Sequence, residues 1–281
     1  MIELEAWNCP TCNRTVSTPY CPTCGERLLH ARELTLRGLV DQLVRAVIKI
    51  DGRLIRSVRC LVSRPGFLTV AYLQGRRKPY VGPVPLFLIA NVLFFATESM
   101  TGGKIFTTPL NSHLHTQPWS TFAASLVSHR LETMHTTLDR YAPIFDRAVA
   151  LHARSLIIFM ALSFSLVPWI AFQRNSRPFV VHALFSLHLY AFMLLLFCLT
   201  DAIPPIEGWL GGAGFASETL DHVLAIALLA ACAVYLYVAT GAVYGASGVI
   251  RVLKVVALTV VAASLVLGYR FMLLVITLYT A

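Results

Sequence analysis

Apolar residues in this chain are concentrated in five long, nearly uninterrupted stretches with polar segments between them. About 20 helical residues cross the hydrocarbon core of a bilayer, whereas the strands of a membrane barrel alternate in polarity over about ten. Uninterrupted stretches therefore favour helices. The pattern predicts an all-α fold, a polytopic helical membrane bundle with spans at 83–97, 155–172, 179–200, 223–244 and 255–279.

Two segments before the first span have helical periodicity with a polar face. In residues 35–50 and 53–63, apolar positions recur at i, i+3, i+4 and i+7, and basic residues occupy other faces. Amphipathic helices with basic polar faces are typical of the membrane interface. A small cytoplasmic helical domain with a solvated basic face is the alternative. The residues predicted to face lipid or a partner are Arg37, Arg45, Lys49, Arg53, Arg56, Arg59, Arg76, Arg77 and Lys78.

Composition supports the membrane assignment, since 57% of residues are hydrophobic and 13% are charged. Soluble domains contain about 25% charged residues. The net charge of +9 is concentrated in residues 25–81, directly before the first span. Such a cluster attracts anionic lipid headgroups. Nucleic acid is the competing partner for the same charge.

The distribution of Lys and Arg predicts the orientation of the spans. Seventeen of the 23 basic residues lie in residues 1–82 and in the two short loops that would share their side. Because cytoplasmic loops are enriched in Lys and Arg, we expect a cytoplasmic N-terminus and an external C-terminus in the plasma membrane. The predicted outer loops are residues 101–154 and 201–222, and the first is expected to be mostly helical from Trp119 to His152. Four of the five histidines of that loop are expected to be solvated, with an external metal site as the alternative: His113, His115, His129 and His135.

Four cysteines form two CxxC pairs near the start of the chain: Cys9, Cys12, Cys21 and Cys24. Zn²⁺ binds four thiolates tetrahedrally, and each CxxC turn brings two thiolates to one ion. Because a module this short cannot bury a sufficient core, metal binding would supply its folding energy. We therefore expect a structural zinc knuckle or ribbon within residues 1–30. Paired disulfides or a redox CxxC fit poorly with a reducing cytosol.

An ordered set of short segments extends this pattern into the first span. The segments are YCPTCG at 20–25, DGR at 51–53, RS at 56–57, RPG at 64–66 and YLQGRRKPYVGP at 72–83. Over residues 9–97 the chain resembles a bacterial zinc-ribbon membrane-protein family known only as domain of unknown function 3667. The resemblance implies a zinc ribbon followed by several spans. It implies no activity.

Two ionisable residues well inside the predicted spans are the intramembrane polar candidates, and His182 lies near the inner end of the third span. His188 is near the middle of the third span, and Arg270 is in the outer part of the fifth. They could belong to a proton or anion pathway. The alternative is a packed neutral histidine bonded to a neighbouring helix and an arginine that extends to the outer surface.

Together these features predict three regions and a non-enzymatic role. The regions are the zinc module at 1–30, basic juxtamembrane helices at 31–82 and a transmembrane domain at 83–281. No P-loop, nucleophile elbow, HExxH or Rossmann glycine motif occurs in the sequence. The leading hypothesis is a scaffold or regulatory protein whose zinc module and basic helices contact anionic lipid or a cytoplasmic partner. A small transporter or channel that uses His188 and Arg270 is the alternative, and nucleic-acid binding is disfavoured.

Overall fold

The computed structural model describes residues 6–9, 12, 14–23, 52–76, 79–173, 177–211 and 218–281. The chain divides into two compact units, Met1–Arg53 and Leu54–Ala281. The described part of the first unit is a small hairpin, in which β1 (Trp7–Asn8) pairs antiparallel with β2 (Thr15–Val16). The amphipathic helix predicted for 35–50 lies outside the described residues.

The second unit is helical throughout its described secondary structure. Five of its helices are long and apolar enough to cross a membrane, which confirms the predicted bundle of five spans: α3, α6, α7, α8 and α9. The helices are α1 (residues 52–63), α2 (Phe67–Leu73), α3 (Pro83–Thr101), α4 (Leu110–His115), α5 (Ser120–Thr133), α6 (Leu138–Ala171), α7 (Phe179–Trp209), α8 (Glu218–Tyr244) and α9 (Gly248–Thr280).

The two ends of this bundle differ. We call the end at which α3, α7 and α9 begin the near end, and the end at which they finish the far end. At the far end α6 begins at Leu138, well before its apolar stretch at residue 155, and its 34 residues extend about 51 Å at 1.5 Å per residue. Its first turns bury Tyr141, Phe145 and Val149 along one face. That amphipathic start continues the membrane helix beyond the hydrocarbon.

Aromatic side chains form the far-end half of the core. Phe106, which follows α3, makes edge contacts with Phe94, Phe197 and Tyr269, at centroid distances of 5.4–5.7 Å. These four rings come from α3, α7, α9 and the segment between α3 and α4. The connection after α3 is therefore packed into the bundle.

At the near end, α1 and α2 form a helical hairpin that belongs to the bundle. Ser57 and Leu61 of α1 are buried, and the Val81 amide donates to Ser57 Oγ at 2.8 Å. The turn between the helices contains Gly66, whose φ is +83°. A Cβ there would lie 2.9 Å from Ala239 Cα of α8, so glycine permits the backbones to approach closely.

Basic and aromatic side chains cluster where α8 ends and α9 begins. The Lys254 ammonium donates to the Ala171 carbonyl at 2.6 Å and lies 4.3 Å from the centre of the Phe172 ring. The Phe172 ring stacks on Tyr244 at 4.2 Å. Arg251 lies over the Tyr237 ring and donates to the Tyr237 carbonyl. Such side chains are typical of a membrane interface.

Candidate metal centre and buried polar cluster

Three of the four predicted zinc ligands converge in the first unit. The Sγ atoms of Cys9, Cys12 and Cys21 all lie within 4.8 Å of one another. The Cys12 and Cys21 Sγ atoms are 3.4 Å apart, although they belong to different CxxC pairs. Cys24 lies outside the described residues. One member of the second pair therefore meets both members of the first.

The hairpin holds the thiols in place by local hydrogen bonds. The Cys9 amide donates to the Arg14 carbonyl at 2.9 Å, which closes the first turn. The Trp7 indole donates to the Thr18 carbonyl at 2.9 Å, and Arg14 Nη1 donates to Thr23 Oγ1 at 3.2 Å. These bonds join the strands to the segment that carries the second pair. Trp7, Val16, Cys9 and Cys21 form the small buried cluster of this unit.

The thiol geometry fits a divalent metal ion with soft ligands. In a tetrahedral Zn–thiolate site with bonds of about 2.3 Å, the sulfurs are about 3.8 Å apart. The Cys12–Cys21 distance of 3.4 Å is far longer than a disulfide bond of about 2.05 Å. Among the residues that the structure describes, this is the one group of three or more side chains that could hold a metal ion.

The predicted basic surface is described in part. Arg53, Arg56 and Arg59 are exposed on α1, and Arg76 is exposed after α2, 6.0 Å from the centre of the Phe67 ring. The remaining members of the predicted set lie outside the described residues: Arg37, Arg45, Lys49, Arg77 and Lys78.

His188 lies in the packed interior of α7. A hydrogen bond of 2.9 Å joins its Nδ1 to Thr69 Oγ1 of α2, and both residues are buried. The helical hairpin of α1 and α2 thus provides the hydrogen-bond partner of His188. The partner's position, 119 residues earlier in the chain, could not be identified from the sequence.

Arg270 lies toward the far end of α9, and its hydrogen-bond partner comes from the segment after α3. Its Nε and Nη2 atoms donate to Thr108 Oγ1 at 3.1 and 3.0 Å. The nearby acid is Glu98 of α3, whose charge interacts with Arg270. The partners of His188 and Arg270 therefore lie on either side of α3 in the sequence, and no contact joins the two candidates among the described residues.

Two buried acids complete a polar cluster at the far end: Glu98, which interacts with Arg270, and Asp201, which interacts with Glu98. Glu98 and Asp201 are 3% and 4% exposed, and their charges interact with each other. Glu98 was not predicted as a site residue. The sequence feature that could have identified it is a single acid at the end of an otherwise uncharged span. Acids in such positions are usually functional or have a buried partner.

His113 differs from the solvated histidine that was predicted. It is fully buried in α4, accepts the Trp119 indole N–H at 3.2 Å on Nδ1 and meets the Phe145 ring edge-on. Burial, aided by the positive charge of Arg270, lowers the pKa of His113 to about 4. The far-end helices exclude water from this ring because α4 packs against α6. The local sequence of the loop did not reveal this packing.

In comparison with known proteins, one segment of the chain matches a protein family. Residues 51–95, which run from α1 into α3, match the model of a family described as "Protein of unknown function (DUF3667)". No curated protein and no solved structure matches the chain. The matched segment contains the helical hairpin and excludes the four predicted zinc ligands. The resemblance found in the sequence is thus confirmed over residues 51–95, where the chain is similar to this family of unknown function.

Proposed function

We propose that this membrane protein is a non-enzymatic adaptor with a structural zinc module in its N-terminal unit. In this proposal, the module and the basic helices before the first span engage a protein partner and anionic lipid on the cytoplasmic side. The convergence of Cys9, Cys12 and Cys21 is the observation that carries the proposal. Three converging thiols from two CxxC pairs, with Cys24 as a fourth, would have the ligand chemistry of a closed, structural zinc site.

A metal-stabilised module of this size is suited to recognition rather than catalysis. Its described core consists of Trp7, Val16 and cysteines, so the bound ion would supply much of its folding free energy. Four thiolates leave no open coordination position for a substrate or an activated water. Cys24 is the proposed fourth ligand.

The exposed face of α1 supports the lipid part of the proposal. Ile55 and Val62 are 63% and 54% exposed, and they lie among the exposed Arg53, Arg56 and Arg59. Leu61 and Ser57 occupy the opposite, buried face. A helix that presents both apolar and basic side chains outward fits a membrane surface, where the apolar groups enter the interface and the arginines meet phosphates.

Measurements of zinc content and of partner binding together test the proposed zinc module and its role as an adaptor. Purified full-length protein should contain one zinc per chain, and Cys9→Ser and Cys21→Ser should abolish its retention. Cys232→Ser, a buried cysteine of α8, is the matched control and should keep the metal. Proteins captured by the intact chain from membranes should be lost when all four ligands are changed to Ser, and identical partner sets would refute the adaptor role.

Hydrogen exchange in nanodiscs tests the lipid part. Anionic lipid should slow amide exchange in residues 52–63 relative to neutral lipid, because the arginines draw the helix onto the headgroups. Replacing Arg53, Arg56 and Arg59 by Gln should remove this difference. The matched control replaces Lys104, Arg140 and Arg147, which are exposed basic residues of the far end. Equal protection in both lipids would contradict the proposed contact.

A further inference from the structure

The two acids of the far-end cluster leave part of their hydrogen-bonding capacity unused. Glu98 Oε1 accepts the amides of Phe106 and Thr107, at 3.1 and 3.3 Å, and the Thr107 hydroxyl at 3.1 Å. Glu98 Oε2 is buried without a partner, and so is Asp201 Oδ2. Both side chains are more than nine-tenths buried. An unpartnered carboxyl oxygen in such surroundings is unfavourable unless a ligand satisfies it.

The segment after α3 encloses the pair. The carboxyl group of Asp201 lies so close to Gly103 that a Cβ at position 103 would be 2.7 Å from its oxygens. Gly103 also lines a cavity of about 310 Å³, together with Glu98. Asp201 of α7 and Glu98 of α3 therefore approach the same glycine-containing segment, and the cavity connects that segment to the far-end surface.

The charges of the cluster do not balance. Two carboxylates would carry two negative charges. Among the described residues, the partly buried Arg270 is the one cation shown to interact with the pair, through Glu98, and it donates its hydrogen bonds to Thr108. His113 from α4 remains neutral above about pH 4. One negative charge is left without compensation inside the bundle, and an uncompensated buried charge is costly.

The other charged residues of the cavity do not supply the missing charge. Lys104 and Arg154 line the cavity but are exposed, so solvent screens them, and Arg154 is held 5.9 Å from the centre of the Phe95 ring. Asp146 of α6 is also exposed, and it accepts the Leu110 amide at 2.9 Å. Among the described residues, none of these groups forms an ion pair with Glu98 or Asp201.

We propose that Glu98 and Asp201 bind one monovalent cation between them, a proton or an alkali-metal ion, which enters through the far-end cavity. A bound proton forms an O–H bond with one carboxylate and a hydrogen bond with the other. A bound alkali ion is coordinated by the two free oxygens. Either ligand brings the cluster to neutrality. Ca²⁺ fits poorly because its two charges would change the net charge of the cluster from −1 to +1 and leave a buried positive charge without compensation.

Infrared spectroscopy and thermal unfolding of the full chain in nanodiscs test this site. The first arm records the protonated-carboxyl band at pH 7 in choline chloride. The second compares unfolding midpoints in choline chloride and in NaCl of equal ionic strength. Glu98→Gln and Asp201→Asn are the test variants, and Glu132→Gln, an exposed acid of α5, is the control.

A bound proton is indicated by a protonated-carboxyl band in the wild type that Glu98→Gln and Asp201→Asn abolish and Glu132→Gln retains. A bound alkali ion is indicated by a saturable rise of the midpoint with Na⁺ that both test variants lose. If the wild type shows neither a protonated-carboxyl band nor an alkali-ion effect, the site does not exist. Because this criterion uses the wild type alone, it holds even where a variant does not fold.

Discussion

At the residue scale, the buried ring of His113 makes the stability of the protein depend on pH. Its pKa of about 4 in the folded protein lies below the unfolded value of about 6.5, so the unfolded chain takes up the proton first. The contribution of the neutral His113 to the free energy of unfolding is fully present above pH 6.5. It is lost as the pH falls toward 4, and the total loss is about 2–3 kcal/mol. Unfolding midpoints measured across this range should fall, and His113→Gln should flatten the decline.

His115→Gln serves as the control for this measurement. His115 is exposed on the same short helix, so its replacement should leave the slope between pH 6.5 and pH 4 unchanged. A wild-type slope that His113→Gln does not alter would show that this ring is not the source of the pH dependence.

The partners of the intramembrane polar residues could not be predicted, although the residues themselves could. His188 and Arg270 stood out because ionisable residues are rare in apolar stretches. Their partners, Thr69 and Thr108, are common residues separated from them by 119 and 162 positions. Only the packing of α2 and of the segment after α3 brings these hydroxyl groups into place. Single-sequence patterns contain no information about contacts at that separation.

At the element scale, the hairpin of α1 and α2 shows where helical periodicity is informative and where it is not. The i, i+3, i+4 pattern of 53–63 correctly indicated a helix, although the apolar Ile55 and Val62 are exposed beside the arginines. The seven apolar and small residues of α2 were too few for periodicity to tell a surface turn from a buried helix. Burial of Leu68, Thr69 and Ala71 comes from the groove between α7 and α8, which exists only in the assembled bundle.

Two glycines of the hairpin allow the contribution of this groove to be measured. Both have positive φ, +83° at Gly66 and +78° at Gly75, but an added Cβ would meet other atoms within 4 Å only at Gly66, where they belong to α8. Gly75→Ala should cost about 1–2 kcal/mol, the penalty of the backbone conformation alone. Gly66→Ala should cost about 2–5 kcal/mol, because overpacking against Ala239 is added. Equal losses in unfolding midpoint would show that the close approach does not contribute.

At the scale of the whole molecule, hydrocarbon thickness made the five spans predictable. The requirement for about 20 apolar residues leaves little freedom in where a membrane helix can lie. The same requirement does not apply outside the bilayer, so the extension of α6 from residue 155 back to Leu138 was not part of the predicted span. Likewise, the spacing of the cysteines predicted that their thiols would meet, while the strands that hold them were too short to predict.

Accessibility at the two ends tests the predicted orientation. In a chain without native cysteines, Ser128→Cys at the far end should react with a membrane-impermeant maleimide in intact cells. Ser247→Cys, in the connection between α8 and α9, should react only after the membrane is permeabilised. Both residues are exposed, so a difference in labelling reports the side of the membrane. The opposite pattern would place the N-terminal unit outside the cell and contradict a zinc site in the reducing compartment.

The length of α3 has a consequence for the bilayers in which this protein can reside. With 19 residues it extends about 28 Å, close to the thickness of the hydrocarbon, while each of the other four membrane helices has at least 26 residues. The four longer helices can therefore span a thicker bilayer. In such a bilayer the polar ends of α3 would lie within the hydrocarbon, and each Å of this mismatch would cost a fraction of a kcal/mol. This helix is the element by which lipid composition would strain the fold.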